Sequence, residues 1–319
     1  MINWGIIGAG NIAHRFADSL EYVDGAQLYA VARRTMEKAE AFRSEHPCEV
    51  SYDNYQSLLN DTQIDAVYIA LPHQFHLEWV KKALKAGKAV LCEKPATLSL
   101  DEMEEITETV HEEGLFFMEA MKSRFVPAYR EVKERIDKGE IGKVLSVSTS
   151  LCRVFSEADS SYHFEPVQGG CLLDMGVYNI ALLEDFMTSP VQVKDVEYEV
   201  RDNGVEVYVN ANLESNGVFG KLESAFDRET ETVAIITGTM GEIRIPNFHR
   251  PYSYELVMGD SNEVQYIEVP YDIDDFYSEI VHVVDCINQD MIESPIMSLQ
   301  DSINIAKIMD QVKAEIKVK

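Results

Sequence analysis

The chain has 319 residues, 46% hydrophobic and 26% charged, a globular composition with enough chain for two domains, unlike that of disordered, collagen-like or coiled-coil proteins. With 28 Lys and Arg against 55 Asp and Glu, the net charge is −27; this repels phosphate backbones and anionic lipids, so nucleic acid and membrane surfaces are disfavoured as partners. No apolar run approaches the roughly 18–20 residues of a membrane helix, and Met1 leads straight into a strand-like segment without a secretory pattern, so a cytoplasmic protein is expected.

In chain order, residues 2–7 (INWGII) read as a buried strand, followed by the turn Gly8-Ala9-Gly10 and an amphipathic helix from Asn11. Strands are then predicted at 27–32, 66–71, 89–92 and 116–118, and helices at 36–44, 74–86 and 98–113. Gly87 serves as a C-terminal stop, and Ser99 with Glu102 forms a capping box. The alternation implies a parallel sheet covered by helices and stops near residue 121. Beyond it the rhythm changes. A strand at 143–151 and a helix at 171–187 precede a run of strands between 191 and 270, in which Val205, Val207 and Val209 alternate with Glu206, Tyr208 and Asn210. Such a run suits a mostly antiparallel sheet. Two helices, 274–288 and 299–317, close the chain. The expected architecture is α/β: a doubly wound Rossmann domain over 1–121, then an α+β domain over 122–319 with a large open sheet.

Gly8-x-Gly10-x-x-Ala13 sits between the first strand and the first helix, where the dinucleotide fingerprint belongs. Gly8 permits the tight turn, Gly10 lets backbone approach a pyrophosphate, and Ala13 allows close helix–strand packing. The helix N-terminus at Asn11 and Ile12 offers N–H groups and its dipole to the phosphates. A glycine turn in some other α/β fold is the bland alternative. Strand two ends at Ala32 and is followed by Arg33-Arg34, with Lys38 one turn on and no carboxylate at the tip. Guanidinium forks suit a ribose 2′-phosphate, so NADP is favoured and NAD is possible. A solvated basic patch would look the same.

Lys94 follows the 89–92 strand, at the carboxyl end where ligands bind in such folds. Downstream, Gly169-Gly170-x-x-x-Asp174-x-Gly176-x-Tyr178 opens a helix, and Asp174 and Tyr178 are spaced to share one face. Together with Tyr68-Ile69-Ala70-Leu71-Pro72-x-x-x-His76 and Glu93-Lys94-Pro95, these motifs run in the order found in the glucose–fructose oxidoreductase / inositol dehydrogenase / MocA family, which the whole chain resembles. The stretch from Glu119 to Tyr129 is similar to the branch of dimeric dihydrodiol dehydrogenases, with Lys122 where that branch often has Trp. Inositol dehydrogenases usually have His at the position of Tyr178, which argues against that subgroup.

The resemblance implies an NADP-dependent dehydrogenase or reductase acting on CH–OH groups of a sugar, polyol or cyclic diol. It also implies catalysis by Lys94, Asp174 and Tyr178, and a homodimer or homotetramer formed through the C-terminal sheet. His76 matches a cofactor-side position; Leu71, Pro72, His73 and Glu93 flank the same region. Arg124 and His163 are expected to touch substrate. The chemistry is consistent, because a free phenol titrates at about 10 and a neighbouring ammonium favours its phenolate. A cofactor-binding sensor without turnover is the competing class. Cys48, Cys92, Cys152, Cys171 and Cys286 are widely spaced, so reduced thiols are expected. The eight His show no metal-binding spacing, and no metal is expected.

Overall fold

A computed structural model describes residues 1–156, 162–188, 190–259 and 263–316. The apolar runs of the first third form β1 (Ile2–Ile7), β2 (Ala26–Ala32), β3 (Val50–Tyr52), β4 (Ala66–Ile69), β5 (Ala89–Glu93) and β6 (Phe117–Ala120). They make one parallel sheet in the order β3-β2-β1-β4-β5-β6. Every residue of β4, β5 and β6 is buried, as expected for strands covered on both faces. The connecting helices are α1 (Asn11–Leu20), α2 (Met36–Glu45), α3 (Tyr55–Leu59), α4 (His76–Lys85) and α5 (Leu100–Glu113). The strand order reverses between β1 and β4, so the loops leaving these two strands flank the crevice where a doubly wound sheet binds its ligand.

The second sheet has eight strands: β7 (Val144–Cys152), β8 (Gln192–Val200), β9 (Glu206–Ser215), β10 (Val218–Ala225), β11 (Val233–Gly238), β12 (Gly241–Pro246), β13 (Ser253–Met258) and β14 (Val264–Glu268). The order is β14-β13-β12-β11-β7-β10-β9-β8, antiparallel except for the β7–β10 pair. Register puts the apolar alternate positions on one face. Val147, Leu151, Leu222, Ala211, Leu213, Ala234, Ile236, Ile243 and Leu256 are all buried there. Helices α6 (Pro127–Asp137) and α7 (Val177–Phe186) pack against this sheet. The opposite face carries Ser146, Ser148, Lys221, Glu223, Asn212 and Glu214, with Phe219 exposed among them.

The two last helices part company. Residues 272–302, with α8 (Tyr277–Asn288), join 1–97 and 101–122 in one compact unit; α9 (Leu299–Glu315) mostly joins 98–100 and 123–271 in the other. Within the first unit Phe117 N–H donates to Ile292 O at 3.0 Å, and Ser19 Oγ to Asp274 at 2.6 Å. This grouping differs from the expected 122–319 domain: 272–302, where α8 buries Ile280, Val283 and Val284, falls in the compact unit with 1–97 and 101–122. Elements β3, α3, α6 and β8 were not singled out from the pattern. The first two are only 3 and 5 residues long, while α6 buries only Ala128, Tyr129 and Val132. All five cysteines are free thiols.

Candidate active site

The glycine turn has the geometry its residues allow. Gly8 has φ +90°, and a Cβ there would lie 2.5 Å from Ala70 O, so a side chain is excluded on two counts. At Gly10 a Cβ would meet no atom within 4 Å: the room above the turn is open. Gly10 is also the N-cap of α1, so no side chain competes for the first-turn N–H groups of Asn11 and Ile12. Ala13 is fully buried, which is the close packing expected of it. Beyond β2, Arg34 and Lys38 are exposed and Arg33 is half-buried. None of the three makes an ion pair among the described residues. An open cradle at a helix N-terminus, next to uncommitted cations, fits a dinucleotide carrying an extra phosphate.

Lys94 stands at the end of β5, held by a buried frame. Glu93 accepts a short hydrogen bond from Tyr68 Oη, and its other oxygen accepts from Lys94 N at 3.2 Å. Phe16 stacks on Tyr68 with centroids 3.9 Å apart. Glu119 Oε1 accepts from Ala96 N at 2.9 Å. His76, fully buried, has Nε2 2.8 Å from Leu71 O and Nδ1 2.9 Å from Pro95 O. Burial outweighs these carbonyl contacts and lowers its pKa, and the ring lies between the backbone of the β4 loop and that of the β5 loop. Glu93 and His76, expected as cofactor contacts, both hold backbone of this region. His73 is buried beside His76, with ring centroids 5.7 Å apart, and Leu71 and Pro72 form the same loop.

Lys122 is not a surface replacement for an aromatic. It is buried, 2.6 Å from Asp275 Oδ2 and 4.3 Å from the centre of the Phe276 ring; Asp275 also binds Arg15. Burial lowers the Lys122 pKa, while Asp275 opposes that shift. Nearby, Glu279 is buried with neither oxygen hydrogen-bonded among the described residues, and burial pushes its pKa well above the ordinary value.

In the second unit, the glycine pair shapes the segment bearing Asp174. A Cβ on Gly169 would overlap His163 O, and one on Gly170, whose φ is +106°, would overlap the Glu206 carboxylate. Gly170 N–H donates to His163 O at 2.8 Å. The chain then makes a single π-helical turn, Leu172–Gly176, before the regular turns of α7. The helix predicted at 171–187 thus begins with wider winding, a feature frequent at functional sites. Asp174 Oδ2 lies 3.2 Å from His163 Nε2, and Tyr162 Oη donates to Oδ1 at 3.4 Å. His163 is buried against Phe155 and Phe226, at 4.5 and 5.2 Å between centroids. Tyr178, in the first turn of α7, has its ring 5.8 Å from that of His249.

Arg124 is 2% exposed, bonded to Glu184 Oε2 at 2.6 Å and to Ala181 O at 2.8 Å. Its guanidinium ties the 122–124 segment to α7. His249 and Glu206 were not foreseen, and no local motif marks either. Burial raises the Glu206 pKa to about 7, although the Leu172 N–H bonds its carboxylate.

Residues 2–121 match the family model described as "Oxidoreductase family, NAD-binding Rossmann fold", and residues 129–244 match "GFO/IDH/MocA C-terminal domain". The chain belongs to the glucose–fructose oxidoreductase / inositol dehydrogenase / MocA family. Trans-1,2-dihydrobenzene-1,2-diol dehydrogenase of Xenopus tropicalis is 29% identical over 99% of this chain and 98% of its own length. An NADP(+)-dependent scyllo-inositol 2-dehydrogenase of Bacillus subtilis is 30% identical over 99% and 97%. Overall similarity therefore does not divide diol from inositol dehydrogenases, despite Tyr178. A 3-ketoreductase of Actinomadura kijaniata, solved with NADP and TDP-benzene, has a TM-score of 0.89 at 27% identity, covering 98% of this chain and 97% of that one. This chain is an NAD(P)-dependent oxidoreductase, and its relatives are named as enzymes, which supports turnover over a silent sensor. Among the described residues no helix is long and apolar enough to cross a membrane.

Proposed function

We propose that this oxidoreductase uses NADP(H) to interconvert a secondary hydroxyl and a ketone on a sugar, polyol or cyclic diol. The observation that carries the reading is the open Gly10 cradle at the uncapped start of α1, with the unpaired Arg33, Arg34 and Lys38 beyond β2. The α1 N–H groups bind the pyrophosphate and the Arg pair holds the 2′-phosphate. Held there, NADP(H) would be the donor or acceptor of the hydride. Tyr178 takes the proton from the hydroxyl as the C–H bond breaks, and returns it in the reverse direction. Lys94 donates a hydrogen bond to the reacting oxygen and so stabilises the negative charge that builds there as the proton leaves. Asp174, paired with His163, orients a substrate hydroxyl. The names of the relatives, covering a benzene dihydrodiol, an inositol and a keto group, support a cyclic CH–OH substrate. The family resemblance, with Phe219 exposed on the open face of the large sheet, supports assembly as a homodimer or homotetramer through that sheet; light scattering after size-exclusion chromatography reads the mass directly.

The decisive test follows nicotinamide absorbance with NADP+ or NADPH against a panel of cyclic diols, inositols, sugars and dicarbonyls. Turnover with at least one class is expected. A protein that binds NADPH yet turns over nothing across the panel would sink the proposal.

A further inference from the structure

Outside the catalytic region, two histidines and a carboxylate converge on one point of the Rossmann unit. His14 Nδ1, on the first turns of α1, lies 2.8 Å from Nε2 of His46, the residue that ends α2. Glu45 Oε2 lies 3.3 Å from the same His14 nitrogen. The three ligand atoms all sit within 4.8 Å of one another. The site forms a surface recess with Asn11 and Asp18 at its edge. Phe42 backs both rings, at 4.6 and 4.7 Å.

The second observation is on the far side of His46. Its other nitrogen, Nδ1, is 3.5 Å from Asp18 Oδ1. A proton on Nδ1 facing Asp18 leaves Nε2 as a lone pair aimed into the cluster. Metal-ligating histidines ordinarily give their remote N–H to a carboxylate, which fixes the tautomer and raises the basicity of the ligating nitrogen. His46 must then accept the His14 Nδ1 proton, which Glu45 also faces. Three lone-pair donors therefore share one proton.

We infer that His14, Glu45 and His46 bind a late first-row divalent cation of the zinc class, with Asp18 orienting His46. The cation takes the place of the shared proton, and His14 shifts its own proton to Nε2. Tetrahedral ligand atoms at about 2.0–2.1 Å from zinc stand roughly 3.3 Å apart. The His14–Glu45 spacing already has that value, the two rings must part by about half an ångström, and the Glu45 carboxylate, within 4.8 Å of His46 Nε2 but not ion-paired with it, must swing towards it. Imidazole nitrogen selects this class over magnesium or calcium, which prefer oxygen shells. Three protein ligands leave a position for water. The ion would clamp the second turn of α1 to the end of α2. The spacing rules of sequence reading missed this because the two histidines are 32 residues apart.

The test uses the full chain without a polyhistidine tag, stripped with a chelator. Co2+ is titrated while the visible d–d bands are followed, and Zn2+ by calorimetry. One equivalent should bind with a dissociation constant at or below about 10 µM and give the intense bands of a tetrahedral ion. His14→Ala and His46→Ala should each abolish that equivalent. Asp18→Asn, which removes no ligand, should weaken it about 10–100-fold. His111→Ala, on the exposed surface of α5, should change nothing. Binding that survives the His14→Ala/His46→Ala double variant would overturn the inference. So would only weak, multi-site binding across the acidic surface.

Discussion

At the residue scale the proposed chemistry rests on a few polar groups held by buried partners. Tyr178 contributes one oxygen, and its ring packing beside His249 does not depend on that atom. Tyr178→Phe should therefore keep the fold and the NADPH dissociation constant, while kcat falls about 10²–10⁴-fold, the usual loss for a general acid–base. Steady-state kinetics with the best substrate of the panel measures this, and near-normal kcat would remove Tyr178 from the proton path. Arg34 is exposed and unpaired, so its charge is available to a ligand. Arg34→Ala should raise the dissociation constant for NADPH about tenfold or more, by loss of a charge-assisted contact, and leave NADH nearly unchanged. Equal weakening of both cofactors, read by fluorescence titration, would make it a general phosphate contact. These residues stood out as candidates because each is tied to a local signal: a glycine fingerprint, a strand end or a helix start. The Arg124 partner was not legible, because a conspicuous Arg in a motif looks the same in sequence whatever carboxylate it meets in the fold.

At the element scale, the Gly169–Gly170 pair and the π turn after it are one device. The pair lets the 163–165 backbone and the Glu206 carboxylate press onto the start of the turn that carries Asp174. Gly170→Ala should lower the melting temperature and activity together, because the added Cβ meets Glu206 at a φ of +106°. Unchanged melting would show that Glu206 moves aside freely. Glu206 itself sets a pH window. Its folded pKa is raised from 4.5 to about 7, so the folded state holds this proton more tightly than the unfolded chain. Its contribution is complete below pH 4.5 and is lost as pH rises through about 7. Glu206→Gln cannot ionise and keeps an acceptor for Leu172 N–H. Relative to wild type it should gain stability progressively over that window, by at most about 3 kcal/mol. Urea midpoints of both proteins at several pH values test this, and a difference independent of pH would refute it. Nothing in the sequence signalled Glu206, which reads as an ordinary outward position of an alternating strand.

At the scale of the whole molecule the net charge of −27 dominates. Like charges on a compact chain repel, and salt screens them over roughly 10 Å at 0.1 M. The melting temperature should rise by several degrees between about 10 mM and 500 mM NaCl; a flat or falling curve would mean that specific ion pairs, such as Arg228 with Asp227 and Glu199, outweigh the repulsion. From the sequence alone came the doubly wound first half, the mostly antiparallel second sheet, the family, the cofactor class and the change of rhythm near 121. The family came from a resemblance carried by several motifs in order, and the others depend on periodicity or on short spacings, which a linear chain displays directly. Only the tertiary structure decided that 272–302 returns to the Rossmann unit, that Lys122 is buried on Asp275, that Arg124 is spent on Glu184, and that His14 meets His46. Those pairings join residues 32 to 153 positions apart. They are set by which apolar faces bury each other, and no local pattern encodes that choice.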